Sequence, residues 1–299
     1  MTRKLVAITL LLAGLGSGLP AAAAGGIKLR AQAPIYVDSK GVALSAPEGV
    51  AFGAGSAIAV SDTGSGRIAT FRTGAGGITP IAEFKLAEVP YPTRLRITSK
   101  GDVLVLDGRS RRIARVAADG AFKGWVDPGA GGDPVVRGFA IDRQDQLFLL
   151  DVSVPRVIVA DLSGKPVREI PLPAGRSFFS DVAVGSRGDV FVLDSVGHQV
   201  YVVRSGSTDV TPLGGSLAEE LEFATTLAVA DTGHLFVVDQ YGDGVVILGP
   251  DGSFQGRQGM MGLREGFLRY PSAIAYDPAG FVYIADRANN RVQVFAIAQ

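Results

Sequence analysis

An aspartate recurs six times along this 299-residue chain at nearly even spacing. Each copy closes a run of about four mostly apolar residues, and successive copies lie 45, 44, 43, 45 and 47 residues apart. The six positions are Asp62, Asp107, Asp151, Asp194, Asp239 and Asp286. A period of about 40 to 50 residues with all-strand content is typical of a β-propeller or a solenoid.

Each repeat has a second fixed position five residues after the aspartate. Arginine occupies it in four repeats, as Arg67, Arg112, Arg156 and Arg291, whereas Gln199 and Gly244 stand there in the other two. A carboxylate at a strand end can accept backbone N–H groups of the following turn, and an arginine nearby can pair with it or with a neighbouring sheet. Because the pattern is repeated, we interpret it as architectural rather than catalytic. We expect the turns that carry Gln199 and Gly244 to be less firmly braced.

The repeats contain four runs of strand-forming residues. Large and small side chains alternate in the first run, as expected where strands crowd around an axis. The second run, such as Leu147 to Leu150, is continuously apolar, which is typical of a strand buried on both faces. The fourth run is more polar and follows a turn, which indicates an outer edge strand. The sequence therefore predicts an all-β, six-bladed β-propeller of four-stranded antiparallel blades.

The sixth repeat lacks a fourth run before Gln299. An isolated extended segment from Ile27 to Val37 has no repeat of its own. We predict that this N-terminal strand pairs with the run from Arg291 to Phe295 and completes the last blade, because closure removes the exposed edges of an open array.

The first 24 residues have the features of a secretory signal peptide. Arg3 and Lys4 precede an apolar core from Leu5 to about Leu19, which a small-residue run follows. The core is about 15 residues long, too short for a good membrane span, although an uncleaved anchor is the alternative. We expect a signal peptide at 1–24, a single propeller domain at 25–299, no further transmembrane segment, and a bacterial periplasmic or secreted location.

Composition limits the classes of partner. The chain contains no cysteine, so that it has no disulfides and needs a core large enough to do without them. Without Arg3 and Lys4, 27 basic residues remain against 29 acidic ones, a net charge of −2. Such a balance gives no general attraction to nucleic acid.

At this point the sequence resembles a known family. The sixth repeat, from Pro271 to Phe295 with the run Asp-Arg-Ala-Asn-Asn-Arg-Val-Gln-Val-Phe, is similar to an NHL repeat, and the others resemble it more loosely. Together the repeats span about residues 47 to 299. The resemblance implies a six-bladed propeller of the TolB-like superfamily. It says little about function, because related propellers serve as binding platforms or, with additional residues, as enzymes.

Metal chemistry is disfavoured. The two histidines, His198 and His234, lie 36 residues apart, and without cysteine they cannot form the three-histidine zinc centre of amidating lyases of similar fold. A calcium site like that of lactonase-like propellers is poorly supported, because Asn289 and Asn290 are the only asparagines and share one turn. We expect neither a metal nor another cofactor.

The candidate site is the rim of the central channel, where the segments leading into the first strands meet the turns between second and third strands. At the mouth we place Glu48, Arg94, Arg137 and Asp181, with Thr93, Ser180, Thr225 and Ser272 at equivalent positions. Arg96 faces the axis at a position that normally carries a small residue, so we expect Asp181 or Glu48 as its partner. A water-filled channel with paired charges and no ligand is the alternative.

The same rim is expected to expose aromatic side chains and another arginine. These are Tyr91, Trp125, Phe178, Phe179, Phe267, Arg269 and Tyr270. Aromatic residues and arginine are enriched in protein interfaces, although Tyr91 and Tyr270, each before a proline, could instead pack their loops. We expect a non-catalytic exported scaffold that binds a protein or glycan partner of the cell envelope. The alternatives are a lactonase-like lyase or hydrolase that uses Glu48 and Asp181, and a purely structural role.

Overall fold

The computed structural model describes residues 27–129, 134–175 and 177–298. It shows six four-stranded sheets, each antiparallel, arranged as the blades of a propeller. The predicted all-β, six-bladed fold is confirmed. The predicted signal peptide, residues 1–24, lies outside the described residues. Within them no helix is long and apolar enough to cross a membrane.

Strand β1 (Lys28–Ile35) precedes the first blade and belongs to the last one. Blade 1 comprises β2 (Gly49–Gly53), β3 (Ala57–Asp62), β4 (Arg67–Gly74) and β5 (Gly77–Phe84). Blade 2 comprises β6 (Pro92–Ile97), β7 (Val103–Asp107), β8 (Ile113–Val116) and β9 (Phe122–Val126). Blade 3 comprises β10 (Val136–Ile141), β11 (Leu147–Asp151), β12 (Arg156–Ala160) and β13 (Pro166–Pro171).

Blade 4 comprises β14 (Phe179–Val184), β15 (Val190–Asp194), β16 (Gln199–Val203) and β17 (Val210–Pro212). Blade 5 comprises β18 (Ala224–Val229), β19 (Leu235–Asp239), β20 (Gly244–Leu248) and β21 (Phe254–Gln258). Blade 6 comprises β22 (Pro271–Asp277), β23 (Phe281–Asp286) and β24 (Arg291–Ala298), together with β1. The first strand of each blade lies next to the axis and the fourth at the periphery. Short 3₁₀ turns occur at Ala54–Ser56, Thr63–Ser65 and Arg287–Asn289.

The N-terminal strand closes the ring. Strand β1 pairs antiparallel with β24, from Lys28 opposite Ala298 to Ile35 opposite Val292, and supplies the fourth strand of blade 6. The predicted closure is therefore confirmed. The segment that follows β1 reaches into blade 1, where the Asp38 carboxylate forms an ion pair with Arg67.

The apolar core consists of six layers, each between two consecutive blades. The layer between blades 6 and 1, for example, combines Tyr283 with Phe71, and both side chains are almost fully buried. The second strands of blades 2 to 5 are buried along their whole length, as their continuous apolar runs predict. A blade therefore has no apolar core of its own and depends on both neighbours.

The repeated aspartates connect two parts of each blade. All six are at most 2% exposed. Each carboxylate accepts a hydrogen bond from a backbone N–H that lies 16 or 17 residues earlier, in the segment that leads into the first strand. The six donors are Ser45, Tyr91, Val135, Phe178, Phe223 and Arg269. The geometry supports the architectural interpretation, because each bond ties a lead-in segment to the turn between second and third strands.

The repeated arginines do not all act alike. Arg67, Arg156 and Arg291 pair with their own aspartates, at 2.6, 3.0 and 2.8 Å. Arg112 instead lies over the Trp125 ring, with its guanidinium carbon 4.3 Å from the ring centroid. Gln199 donates to the carbonyl oxygens of Val200 and Leu213.

The expectation of a weakly braced turn at Gly244 is wrong. Arg257, from the outer strand β21, reaches the Asp239 carboxylate at 2.9 Å and replaces the missing arginine. It also donates to the carbonyl oxygen of Glu220 at 2.8 Å. A Cβ at Gly242 would lie 1.9 Å from the Arg257 guanidinium. Glycine at position 242 therefore leaves the space that the Arg257 side chain occupies.

A chain that begins at Ala46 is expected to lose its cooperative stability. Strand β24 becomes an exposed edge, and the apolar layer between blades 6 and 1 opens to water. We expect the melting temperature to fall by more than about 10 °C, measured by circular dichroism. A chain that begins at Gly25 is the control and should melt like the full chain. Equal melting of the two shortened chains would contradict the structural role of β1.

Replacing Asp239 by asparagine should destabilise blade 5. The carboxamide NH₂ would face N–H donors and leave Arg257 without its carboxylate, which we expect to lower the free energy of unfolding by about 3 kcal/mol. Urea unfolding measures the change. Asp209→Asn, at an exposed position before β17, is the control and should stay within about 0.5 kcal/mol of the parent. Equal effects of the two substitutions would refute the bracing role.

Candidate functional site

The lead-in segments and the turns between second and third strands lie at one end of the propeller, which we call the upper face. The opposite end, with the turns between first and second strands, is the lower face. The repeat aspartates fix the upper face in every blade, because they bond the two kinds of segment to one another. Side chains on this face therefore project from a rigid base.

The channel mouth is closed by one side chain. Arg94, from β6 of blade 2, donates across the channel to the carbonyl oxygens of Ser180 and Thr225, at 3.2 and 3.0 Å. It also forms an ion pair with Asp181, at 3.2 Å. Three blades are thus joined at the axis. The structure thus brings together four of the residues that the sequence placed at the mouth: Arg94, Asp181, Ser180 and Thr225.

Asp181 is fully buried beneath this bridge. Its Oδ2 accepts from the Thr226 hydroxyl at 2.6 Å and from the Leu227 N–H at 3.2 Å, both in β18. On the other side, a Cβ at Gly138 would lie 2.7 Å from Oδ1, so glycine is needed there. Arg94 and the N–H and O–H donors hold the carboxylate in place. The carboxylate is therefore enclosed by groups of blades 2, 4 and 5 and has no exposed surface.

The prediction that Arg96 pairs with Asp181 or Glu48 is wrong. Asp181 is taken by Arg94, and Glu48 is taken by groups on the upper face. The Arg96 guanidinium donates to the carbonyl oxygen of Leu95 at 2.7 Å and lies 5.6 Å from the Phe139 ring centroid. Burial lowers the pKa of Arg96, and the charge of Arg94 adds to this, while Asp181 opposes it. Arg96 therefore faces the channel without a carboxylate of its own.

Glu48 belongs to a cluster at the edge of the mouth. Its Oε1 lies 3.1 Å from Arg287 Nη2 and accepts from the Tyr91 hydroxyl at 3.3 Å. The charge of Glu48, followed by burial, raises the pKa of the Tyr91 hydroxyl. Arg109 lies over the Tyr91 ring, 5.6 Å from its centroid. Tyr91 is thus held as a neutral phenol between acidic and basic neighbours.

Arg137 begins a row of aromatic side chains along the rim. Its guanidinium carbon lies 3.9 Å from the Phe178 ring centroid, and it donates to the Phe179 carbonyl oxygen at 3.1 Å. Burial lowers the pKa of Arg137, helped by the charges of Arg111 and Arg94. An arginine stacked on an aromatic ring presents a flat, charged surface for a partner.

The row continues across blades 4, 5 and 6, and we call Phe178, Phe223, Tyr241 and Tyr270 the rim row. Successive ring centroids lie 6.0, 5.0 and 5.9 Å apart. Tyr241 is 56% exposed and Tyr270 is 47% exposed. These contacts join lead-in segments of three blades with the turn after β19. The rim row is therefore a continuous aromatic surface that spans three consecutive blades.

Tyr270 has a strained backbone. Its φ of 50° lies in the left-handed region, where a bulky residue is rare. Its N–H donates to the buried Asp243 carboxylate of blade 5, at 2.6 Å. A bond between blades thus holds a tyrosine in a conformation that turns its side chain toward Tyr241. Strain retained at such a position is typical of functional sites.

The connection between β21 and β22 forms an apolar loop, residues 259–270. It exposes Met260, Met261 and Leu263 by 66, 72 and 70%. Blade 6 holds its backbone: Asn289 donates to the Gly262 carbonyl oxygen at 2.9 Å, and Arg291 donates to that of Phe267 at 2.9 Å. The loop is thus anchored while these three apolar side chains, together with the charged Arg264, Glu265 and Arg269, face solvent.

One residue that the sequence assigned to this surface, Phe179, is buried instead. Phe179 is 4% exposed and packs in strand β14 against Tyr201. Adjacent residues of a strand point to opposite faces, so its neighbour Phe178 takes the surface position. Trp125 lies in the outer strand β9, between Arg112 and Phe122. Arg269 is exposed, as expected, and its N–H bonds to Asp286.

The small polar residues at the mouth have a local role. Thr93, Ser180 and Ser272 donate their hydroxyls to carbonyl oxygens of the second strand, at 2.9, 3.5 and 3.4 Å. They and Thr225 each occupy the extra position of a bulge in the first strand. The hydroxyls of Thr93, Ser180 and Ser272 complete the backbone pairing of the blades, whereas the buried Thr225 Oγ1 has no hydrogen-bond partner among the described residues.

Sequence reasoning missed Phe223, Tyr241 and the apolar loop. Phe223 stands at the same position as Phe178, sixteen residues before its repeat aspartate, and this offset could have revealed it. Tyr241 follows Asp239 by two residues, where Val196 follows Asp194 in blade 4. Both Tyr241 and Val196 are more than half exposed. The loop carries no periodic signal of its own.

The chemistry of the site is that of a surface. Among the described residues, no group of three or more His, Cys, Asp or Glu side chains is placed to hold a metal ion. On the lower face, His234 Nδ1 lies 2.9 Å from the Thr232 hydroxyl. The carboxylates near the mouth are engaged by arginines. Apolar contact and arginine stacking are what the upper face offers.

Comparison with known proteins agrees with the fold. Residues 268–295 match the family model of the NHL repeat. No curated protein sequence matches the chain. A streptogramin B lyase structure is similar at TM-score 0.63 and 12% identity, over 91% of this chain and 98% of that chain.

Two further structures have the same architecture. A virginiamycin B lyase from Staphylococcus aureus is similar at TM-score 0.61 and 14% identity, over 91% of this chain and 100% of that one. A putative gluconolactonase is similar at TM-score 0.65 and 16% identity, over 90% and 92%. At these identities the likeness shows the fold alone. The chain is a six-bladed β-propeller that carries an NHL repeat in its last blade.

Proposed function

We propose that this chain is an exported, non-catalytic propeller that binds a protein partner of the cell envelope on the rim row and the apolar loop. The observation that carries this proposal is the exposed apolar surface that these two features form on a rigid upper face. Soluble proteins seldom expose large contiguous apolar patches unless something binds there.

The composition of the surface suits a protein interface. Tyrosine, phenylalanine, methionine and arginine are the residues enriched in the cores of such interfaces. The rim row supplies the aromatic rings, Arg137 supplies a stacked guanidinium, and the apolar loop supplies Met260 and Met261. Methionine side chains adapt to the shape of a partner, which suits them to this position.

Anchoring lowers the cost of binding. The bonds from Asn289 and Arg291 hold the backbone of the apolar loop, and the bond from Asp243 holds Tyr270. A surface that is already ordered loses less conformational entropy when a partner docks.

A protein suits this surface better than a glycan. Sugar hydroxyls require polar partners, whereas Met260, Met261 and Leu263 offer none. The expectation of export comes from residues 1–24 and places the partner in the envelope. The near-balanced charge agrees with a partner that is recognised by shape and apolar contact rather than by long-range attraction.

Site-specific photo-crosslinking tests the surface. A photoreactive residue at position 241 or 261 should capture one protein in intact cells, and the same residue at 167 or 254 should not. Val167 and Phe254 are the controls, because they are exposed apolar residues of outer strands, away from the upper face. Equal capture at all four positions would count against the proposal.

Affinity measurements with the captured protein then show how much each side chain contributes to binding. Tyr241→Ala and Met261→Ser should each weaken binding by about tenfold or more, whereas Val167→Ser and Phe254→Ser should leave it unchanged. If the upper face instead binds a purified envelope polysaccharide through the same residues, and no protein is captured, the partner is a glycan and the proposed class is wrong.

Catalysis is the second candidate, because two of the similar structures are named lyases and one a putative gluconolactonase. In this chain the carboxylates that it would use are engaged. Asp181 is enclosed by Arg94, Thr226 and Leu227, and Glu48 contacts Arg287 and Tyr91. This arrangement favours a structural role for Asp181.

Removal of Arg94 separates the two roles of Asp181. Arg94→Met leaves a buried carboxylate without its cation and is expected to lower the free energy of unfolding by about 3–5 kcal/mol. Adding Asp181→Asn should restore part of this loss, which a urea-unfolding double-mutant cycle measures. A catalytic Asp181 would behave differently: Asp181→Asn would abolish turnover in a panel of lactones and leave stability unchanged.

A further inference from the structure

The lower half of the channel has a layered lining. Each first strand carries a bulky apolar residue at or next to its lower end: Phe52, Ile97, Ile141, Val184, Val229 and Tyr276. One position above, five blades contribute an alanine, at positions 51, 140, 183, 228 and 275, and blade 2 contributes Arg96. A guanidinium therefore lies in a wide layer of methyl groups, above a narrower apolar ring.

The space inside this lining is a blind cavity. A volume of about 160 Å³ beside Arg96 shares five apolar lining residues with a funnel of about 430 Å³ that opens at the lower face. Above it, Arg94 bridges the axis to Ser180 and Thr225. Access is from below, past Phe52 and Tyr276, and Arg96 lies deep inside.

Arg96 lacks the counter-charge that its surroundings demand. In the part of the chain that the structure describes, no carboxylate lies within 4.0 Å of it, and its one side-chain hydrogen bond goes to the Leu95 carbonyl oxygen. Arginine stays protonated, so burial alone leaves a charge that requires compensation. Arg94 and Arg96 both lie near the buried carboxylate of Asp181, and Arg94 is the one that forms an ion pair with it. No acidic side chain among the described residues lines the cavity beside Arg96, although Asp142 and Asp231, the latter paired with Arg143, line the funnel below it.

We propose that this cavity binds a small monocarboxylate with a short hydrocarbon body. The carboxylate would accept hydrogen bonds from the free guanidinium N–H groups of Arg96, which form a planar fork that suits a carboxylate. The hydrocarbon body would lie against the apolar ring of the lower channel. A dianion such as phosphate lacks further donors here, and an uncharged molecule leaves Arg96 uncompensated.

Isothermal titration calorimetry with sodium butyrate, in buffer of low chloride content, tests this site. We expect one binding site per chain with a Kd on the order of 1 mM, as is reasonable for one ion pair and a short buried chain. Butan-1-ol, which has the same body without the charge, and sodium phosphate should bind at least about tenfold more weakly. Absence of butyrate binding, or stronger binding of phosphate, would overturn the proposal.

Two substitutions locate the ligand. Arg96→Met removes the charge, and Ala183→Leu fills the cavity while Arg96 remains; each should weaken butyrate binding by about tenfold or more. Arg72→Met, at an exposed position of β4, is the control and should bind butyrate like the parent. Because Arg96→Met removes a half-buried charge that has no ion-pair partner among the described residues, it should fold at least as stably as the parent. If either folded channel variant binds butyrate normally, the site lies elsewhere and the proposal is wrong.

Discussion

Every apolar layer of this protein lies between two blades. A four-stranded sheet alone would expose two apolar faces, and an open row of six would expose its two outermost faces. Only a closed ring buries all of them, which explains why the last blade takes its fourth strand from the N-terminal segment. Tyr283 packs with Phe71 only because the two ends of the chain are joined by β1 and β24.

Packing between blades buries both faces of every sheet, so the surface available for binding lies at the upper and lower ends of the propeller. At the upper end the repeat aspartates bond each lead-in segment to a turn, so that variable side chains project from an invariant base. Blade 5 shows that the base is preserved even when the sequence departs from the pattern. In blades 1, 3 and 6 the arginine five residues after the repeat aspartate pairs with it. In blade 5 Arg257, from the outer strand, pairs with Asp239 instead.

The features that sequence predicted correctly are periodic ones. The repeat length, the buried second strands and the strand missing from the last repeat all follow from patterns along the chain. The contacts of Arg96 could not be found this way, because Asp181 lies 85 positions away and is bound by groups of two other blades. Phe178 and Phe179 show a second limit: adjacent residues of one extended segment face opposite sides, and a shift by one residue exchanges them. The rim row needs three blades at once, and no local pattern encodes such contacts.

Arg94 divides the channel into two parts with different chemistry. Its bonds to Ser180 and Thr225 close the axis, so that a molecule at the lower face cannot reach the upper one by passing through the channel. The upper face is aromatic and broad, which suits a large partner. The cavity below is narrow and carries an uncompensated positive charge, which suits a small anion. The Arg94–Asp181 pair lies between the two parts and joins the inner strands of blades 2 and 4, which also line the cavity below.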